Sequence, residues 1–243
     1  MRVRSIQDHG SCGSSIGFCK IFNAAIALGE RLCFSRVERR SGRRCADTLT
    51  SAEFWVETPG RELFKRIRAA LGDLPIIAED LGVITPDVVA LREELGFPGM
   101  RVLQFGFGGD PKTTVDLPHN YLRNVVAYTG THDNDTAVGW FNSIAGEGSM
   151  RTAEQIDEQR QFCLSYLNTT GEEIHWDFIR AVWASVADRA IAPLQDVLGL
   201  GKEARMNLPN STQGNWLWRY SPNALLPDIA LRLRELNRFY GRD

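Results

Sequence analysis

Helical periodicity dominates the chain from residue 61 onward. Apolar residues recur at helical spacing over residues 61–71, with Arg and Lys on the other faces. A second helix is predicted over residues 85–95, because its opening TPD combines a cap residue, a first-turn proline and an acid near the positive end of the helix dipole. Thr170 and Glu173 predict a capping box at the start of a third helix, and the amphipathic residues 226–240 predict another.

Short apolar runs between these helices predict strands. They cover residues 74–78 (LPIIA), 101–107 (RVLQFGF), 124–129 (NVVAYT) and 189–194, the last weakened by Pro193. Strands that alternate with helices are typical of βα units and a parallel sheet, so the predicted fold class is α/β. Right-handed crossovers allow either an open doubly wound sheet or a closed barrel, and periodicity does not separate the two.

The first 45 residues differ in composition from the rest of the chain. Eight Arg and one Lys stand there against three acidic residues, and four of the five cysteines lie in the same segment. We therefore place a boundary near Cys45, between an atypical basic segment, residues 1–45, and a main domain, residues 46–243. The segment is compatible with a transit peptide, a basic arm or sequence that was never selected to fold here. We favour the third interpretation, for a reason that the motifs below supply.

Overall composition argues against several classes of function. A chain of 243 residues that is 43% hydrophobic can bury one sizeable core. Its net charge of −2 gives no reason to expect nucleic acid or an anionic membrane as a partner, and it has no apolar run of about 18 residues that would predict a membrane span. Five cysteines without a CxxC pair argue against a disulfide framework or a metal site and favour a reducing compartment, so we expect a cytoplasmic location.

Two acidic clusters directly follow predicted strands. Glu79 and Asp80 come after LPIIA, and the sequence GTHDND, which contains Asp133 and Asp135, comes after NVVAYT. In parallel α/β folds the active site gathers at the carboxyl ends of the strands, so Glu79 and Asp133 are predicted to face one cleft. Paired carboxylates are what glycosidic chemistry needs. On the pattern alone, the simpler interpretation is that these acids cap loops and form turns.

Several longer segments carry a resemblance to a known family. The sequences PIIAEDLGVITPDVVALREELGFPGMRVLQF, LPHNY, NVVAYTGTHDNDTAVGWF and LGLGKEARMNLPNSTQGNWLWR resemble successive signature blocks of the amylomaltases, glycoside hydrolase family 77. The resemblance runs from about Trp55 to the C-terminus. It implies the C-terminal half of a (β/α)8 TIM barrel, incomplete in this chain, behind a non-family N-terminal segment. It also implies a retaining 4-alpha-glucanotransferase that needs neither metal nor cofactor and acts on α-1,4-glucans and maltooligosaccharides, with glucose as an acceptor.

The same resemblance implies roles for individual residues. Glu79 corresponds to the general acid/base of the family, and Asp133 to the aspartate that stabilises the transition state. The side chains expected to bind substrate are His132, Asn134, Asp80, Phe105, His119 and Asn120. Trp216 and Trp218, in the NLPNSTQGNWLWR segment, are candidates for stacking on sugars, whereas Trp140 is expected to pack in the core.

One family feature is missing from this sequence. The nucleophile of the family is an aspartate in an Arg-hydrophobic-Asp-His-Phe motif, but the corresponding stretch here, residues 30–36, reads ERLCFSR. Asp8-His9 lies too far upstream and lacks the flanking motif. The first four strands of the barrel are missing as well, which is why we interpret residues 1–45 as foreign to the fold. An α-glucan hydrolase of similar barrel type, or a non-catalytic remnant, stays open as an alternative.

Overall fold

The computed structural model describes most of the chain after residue 58. The described residues are 59–82, 84–112, 114–146 and 151–242, together with the backbone of two short strands, β1 (Ser35–Glu38) and β2 (Glu53–Val56), which pair antiparallel. The predicted boundary near Cys45 lies outside the described residues. The chain divides into two compact units, Met1–Phe97 and Pro98–Asp243.

In the first unit, two helices enclose a small apolar core. Helix α1 (Gly60–Leu71) ends at Gly72, whose positive φ of 75° favours glycine. Helix α2 (Pro86–Glu94) begins after Thr85, as predicted. The core consists of Phe64, Ala78, Leu91, Leu95 and Phe97, and the rings of Phe64 and Phe97 meet edge to face at 5.1 Å.

The prediction of a strand over residues 74–78 is wrong. The segment has no strand hydrogen bonding, and the backbone bond from the Ile76 amide to the Leu74 carbonyl, at 2.9 Å, is local. Leu74 and Ile77 are exposed, whereas Ala78 is buried. An apolar run becomes a strand only where a neighbouring strand satisfies its backbone groups, and sequence periodicity does not reveal whether one is present.

The second unit is built on a parallel sheet of three strands. Strands β3 (Gly99–Val102), β4 (Val125–Tyr128) and β5 (Arg189–Ile191) lie side by side in that order, with Met100 opposite Val126 and Ala127 opposite Ala190. The α/β class and the parallel pairing of the strands predicted over residues 101–107 and 124–129 are therefore confirmed, and the strand predicted over residues 189–194 is present beside them.

Strand β3 is shorter than predicted. Residues 103–107 do not continue it, because Leu103–Gly106 form a single helical turn, α3. The amide of Val102 donates to the Asp116 carboxylate at 2.9 Å, and Gly106 lies against the backbone of that residue. A side-chain acceptor therefore replaces a strand partner at the end of the ladder, and the chain turns.

Helices cover this sheet and supply most of its core. They are α4 (Ala137–Phe141), α5 (Ala153–Leu167), α6 (Ile174–Trp183), the single turn α7 (Leu194–Val197) and α8 (Pro227–Tyr240). Phe107, Trp140 and Phe178 pack together with ring centroids 5.4–5.6 Å apart, so the core position predicted for Trp140 is confirmed. Cys163 is buried beside them, and burial raises the pKa of its thiol to about 12.

The predicted capping box at Thr170 and Glu173 is wrong. Glu173 itself occupies the N-cap position of α6, without a side-chain hydrogen bond to the helix. A capping box forms instead at α5, where Thr152 and Gln155 exchange hydrogen bonds of 3.2 and 3.0 Å. Helix α8 is present, as predicted, and packs on α6. No helix of the described residues is long and apolar enough to cross a membrane.

Candidate active site

The carboxyl ends of the three parallel strands bring distant segments to one edge of the sheet. Phe105 follows β3, residues 129–135 follow β4, and Asp196 follows β5. Backbone geometry thus places the GTHDND sequence at the edge where α/β proteins hold their ligands.

Asn134 organises the loop after β4. Its side-chain oxygen accepts hydrogen bonds from the Thr131 amide, at 2.9 Å, and from the Thr131 hydroxyl, at 2.8 Å. The hydroxyl of Thr131 in turn accepts from the Asp133 amide at 3.3 Å. The bond from the Asp133 amide to the Thr131 hydroxyl forms an ST turn, which fixes the backbone from which Asp133 projects. The amide oxygen of Asn134, predicted to bind substrate, is engaged within this loop.

Asp133 is held from the segment that follows α7. The Asn207 amide nitrogen donates to Asp133 Oδ1 at 2.6 Å, and Arg205 Nη2 donates to the Asp133 carbonyl at 2.8 Å. His132 Nε2 lies 3.3 Å from the same Oδ1. The carboxylate nevertheless stays 40% exposed, so it is both oriented and open to a ligand.

Arg205 joins three parts of this site. Its Nε donates to the Asn207 carbonyl at 2.9 Å, and its Nη1 lies 4.0 Å from Asp135 Oδ2. The backbone N–H of Asn207 completes the connection by donating to the His132 carbonyl at 3.1 Å. Sequence reasoning missed Arg205 and Asn207, because they lie more than 70 residues beyond Asp133 and only their place in the ARMN part of a signature block marks them.

Two further aspartates, Asp135 and Asp196, connect the loop after β4 to neighbouring elements. Asp196 is 1% exposed and accepts from the Thr129 hydroxyl at 2.5 Å and from the Ala137 amide at 2.7 Å. The Gln104 amide donates to the Asp135 carbonyl at 2.8 Å. Burial raises the pKa of both Asp135 and Asp196 above that of an ordinary aspartate, with hydrogen bonds to each acting in the opposite direction.

An aromatic side chain stands next to His132. The rings of His132 and Trp216 are 5.1 Å apart at 37°, and Trp216 is 53% exposed. Phe105, the aromatic predicted on the acceptor side, is half-exposed and follows Gln104, which contacts Asp135. The structure thus gathers His132, Asp133 and Asn134 with side chains from two later segments.

His119 and Asn120 make a different set of contacts. His119 Nδ1 lies 2.8 Å from the Tyr166 hydroxyl, and the Asn120 amide donates to the carbonyls of Pro111 and Thr114 at 3.0 and 2.9 Å. These bonds close the loop before β4. The role in substrate binding predicted for this pair stays a prediction.

Glu79 and Asp80 belong to the first unit. The Asp80 carboxylate lies 3.4 Å from Arg92 Nε, and both side chains are at most 5% exposed, so this ion pair ties the segment after residue 78 to α2. Glu79, beside it, is half-buried. Since Asp133 lies in the second unit, the shared cleft of Glu79 and Asp133 stays a prediction.

Together these features define an α/β protein with an acidic and aromatic site at the carboxyl edge of a parallel sheet. Within the described residues, no group of three or more His, Cys, Asp or Glu side chains is arranged to hold a metal ion. The family model for 4-alpha-glucanotransferase, glycoside hydrolase family 77, matches residues 16–225. The chain therefore belongs to the 4-alpha-glucanotransferase family, and the resemblance drawn from the signature blocks is confirmed.

Individual relatives agree with this assignment. The chain is 49% identical over 191 residues to the 4-alpha-glucanotransferase of Synechocystis sp., which covers 77% of this chain and 35% of that protein. It is 46% identical over 190 residues to the enzyme of Thermus thermophilus, with 75% and 36% covered. Among solved structures, amylomaltase from Streptococcus agalactiae in complex with acarbose matches 79% of this chain and 37% of its own at 36% identity, with a TM-score of 0.70. The chain thus spans about a third of the length of these relatives.

Proposed function

We propose that this chain contributes the acid/base and the transition-state-stabilising carboxylates of a 4-alpha-glucanotransferase, which transfers α-1,4-glucan segments to an acceptor glucan or glucose. The observation that carries the proposal is the position of Asp133. Its carboxylate accepts a hydrogen bond from the side-chain amide of Asn207 at 2.6 Å and is partly exposed. It lies in the loop after β4, and the chain is a member of the 4-alpha-glucanotransferase family.

Retention of configuration requires two displacements. In the first, Glu79 protonates the departing glycosidic oxygen while a carboxylate nucleophile bonds to the anomeric carbon. In the second, Glu79 takes the proton from an acceptor hydroxyl, whose oxygen then replaces the nucleophile. The Asp133 carboxylate stabilises the positive charge that develops on the sugar ring in both steps, and the hydrogen bond from Asn207 holds it in position. His132 binds sugar hydroxyls, and Asp80, Asn134, Phe105, His119 and Asn120 complete the predicted substrate site.

The barrel and the nucleophile belong to this proposal as well. In the (β/α)8 arrangement, strands β3–β5 form part of the barrel wall. The proposal includes the absence of an aspartate in the nucleophile motif of this chain, and a domain boundary near Cys45 that leaves the atypical basic segment outside the barrel itself. The chain alone is therefore expected to be nearly inactive, since the double displacement needs a positioned nucleophile. The cysteine content supports a cytoplasmic location.

A chimera provides the test of this function. Residues 59–243 replace the matching part of the Synechocystis relative, which keeps its remaining sequence, and the products formed from maltotriose are followed. Glucose together with longer maltooligosaccharides is the expected outcome. Glu79→Gln and Asp133→Asn are each expected to lower kcat about a thousandfold or more. The two carboxylates act as a unit, so the loss of either one removes most of their joint contribution to kcat.

The control and the alternatives separate clearly. Asp157→Asn, at an exposed position of α5, should leave turnover unchanged. Glucose and maltose without longer products would favour an α-glucan hydrolase. A folded but inactive chimera would favour the non-catalytic remnant and contradict the proposal.

A further inference from the structure

Asp135 is a second carboxylate in the loop after β4, and it is more enclosed than Asp133. Its side chain is 19% exposed, against 40% for Asp133. Oδ1 of Asp135 accepts from the Thr136 amide at 2.8 Å, and it lies so close to Gly139 that a Cβ at that position would collide with it. The carboxylate is therefore fixed against the start of α4 rather than open to a ligand.

The other oxygen of Asp135 faces the arginine that holds the site together. Oδ2 lies 4.0 Å from Arg205 Nη1, while Nη2 and Nε of the same guanidinium donate to the carbonyls of Asp133 and Asn207 at 2.8 and 2.9 Å. Because a guanidinium is planar and rigid, the direction of one nitrogen sets the directions of the other two. Asn207 in turn donates its side-chain amide to Asp133 Oδ1. Asp135 thus lies behind the group that fixes both Asp133 and its hydrogen-bond donor.

Charged side chains from several segments act electrostatically on Asp135. They are Arg205, Lys202 and Glu203 in the segment after α7, Asp196 in α7, and Arg151 just before α5. Burial raises the pKa of Asp135, whereas the hydrogen bond from the Thr136 amide and the charge of Arg205 act in the opposite direction. Asp135 therefore takes up a proton at a higher pH than an ordinary aspartate does.

We propose that Asp135 is a positioning residue for glucan transfer, whose ionised carboxylate fixes Arg205 and, through Arg205, the carboxylate of Asp133. The inference rests on the proposed function, since that function places Asp133 at the transition state. Protonation of Asp135 removes the charge that attracts Nη1, so Arg205 holds the carbonyls of Asp133 and Asn207 less firmly. The contribution of Asp135 to transfer is then present above its raised pKa and is lost as the pH falls through that value.

The kinetics of the chimera on maltotriose test this role. Asp135→Asn keeps the shape of the side chain and the acceptor for the Thr136 amide but removes the charge. At pH 7 it is expected to lower kcat about fivefold, the lower end of the usual range for two groups coupled through a third, and to change KM less. The ratio of unchanged to variant kcat should fall toward one between pH 7 and pH 4, because protonated Asp135 is also neutral.

The matched control is Asp157→Asn, the same substitution at an exposed position of α5. Its kcat ratio should stay at one over the whole pH range. Other groups that titrate in the chimera affect the unchanged and the variant forms alike, so they cancel in the ratio. A fall in the ratio for Asp135→Asn alone therefore reports the titration of Asp135.

A second measurement needs no activity and uses the 243-residue chain. The Nε–H signal of Arg205 in nitrogen-15 NMR spectra should shift as Asp135 titrates, and this shift should vanish in Asp135→Asn but persist in Asp157→Asn. A kcat ratio for Asp135→Asn of one at pH 7, a ratio that does not change with pH, or an Arg205 shift that survives Asp135→Asn would overturn the inference and leave the proposed function in place. A chimera that forms no transfer products contradicts the proposed function and, with it, this role of Asp135.

Discussion

At the scale of single residues, the contact between Asn207 and Asp133 controls the candidate site. A carboxylate that stabilises a developing positive charge must keep its orientation through the reaction, and a neutral amide donor at 2.6 Å does this without cancelling the negative charge. Arg205 contributes through the backbone, since it donates to the carbonyls of Asp133 and Asn207 and so fixes the distance between them.

Substitution of Asn207 should lower kcat more than it changes KM. In the chimera, Asn207→Ala is expected to lower kcat about tenfold, the lower end of the range for a hydrogen bond to a charged group, because Asp133 is partly exposed. Asn207→Asp should lower it further, since a second carboxylate would lie beside the first. Equal kcat values for the two variants, measured on maltotriose, would contradict the positioning role.

Asp196 should make the stability of the chain depend on pH. Burial raises its pKa in the folded state, so folding favours the protonated form. Stability is then greatest below the ordinary aspartate pKa and falls as the pH rises through the raised folded value. Asp196→Asn should flatten this fall in urea unfolding followed from pH 4 to 7, with wild-type protein as the reference.

Asp196→Ala should be more harmful than Asp196→Asn. It removes the acceptor of the buried Ala137 amide and of the Thr129 hydroxyl, which is expected to cost about 1–3 kcal/mol of unfolding free energy at any pH. A loss for alanine no larger than that for asparagine would show that these two hydrogen bonds contribute little.

At the scale of secondary-structure elements, two helix N-termini show that a capping sequence does not always form a cap. The sequence around Thr170 and the sequence around Thr152 both offer a threonine with a Glu or Gln three residues later, yet only Thr152 forms the capping box. The difference lies in the tertiary context of α6. There Glu173 binds Arg232 of α8 through two bonds of 2.7 Å, and Arg232 lies 4.2 Å above the Trp176 ring.

A pair of substitutions tests this difference. Thr152→Ala is expected to lower the unfolding free energy by about 1 kcal/mol, because the Gln155 amide loses its side-chain acceptor. Thr170→Ala should change it by less than about 0.5 kcal/mol, as expected of an exposed residue outside a cap. Urea denaturation of both variants decides, and equal losses would contradict the observed cap.

At the scale of the whole molecule, Arg242 stabilises the second unit. Arg242 follows α8 and donates to the carbonyls of Trp183, Ser185 and Ala187 at 2.7, 2.8 and 3.0 Å. These carbonyls lie at the end of α6 and before β5. A cation there satisfies acceptors that the helix leaves open and complements its dipole.

Removal of the Arg242 side chain should loosen one unit only. Arg242→Ala is expected to lower the stability of the second unit by about 1.5–3 kcal/mol, the range for hydrogen bonds to a charged group. Hydrogen exchange should therefore accelerate in α6 and α8 but stay unchanged in α1 and α2, which belong to the other compact unit. Arg238→Ala, one turn earlier on α8, is the control. Equal acceleration in both units would show that they unfold together.

Local pattern was enough to predict most elements of this protein. Periodicity and turn residues gave the positions of α1, α2 and α8 and the parallel pairing of β3 with β4, and contiguous signature blocks gave the family. All of these signals depend on neighbours in sequence. The pattern also located His132 and Asp133 after a strand. It could not show that Asn134 completes the turn beneath them, although the residue was already a candidate.

Only the tertiary structure decided what depends on distant partners. Residues 74–78 have a strand-like composition, but a strand needs hydrogen bonds from a neighbour, and these are not a property of the segment itself. Arg205 and Asn207 show no catalytic pattern in sequence, yet the ends of β4 and β5 lie at the same edge of the sheet and bring them to Asp133. Sequence alone thus determined the family, the α/β class and the acidic loop. The partners that orient its carboxylate came from the fold, because contacts across more than 70 residues leave no local periodicity.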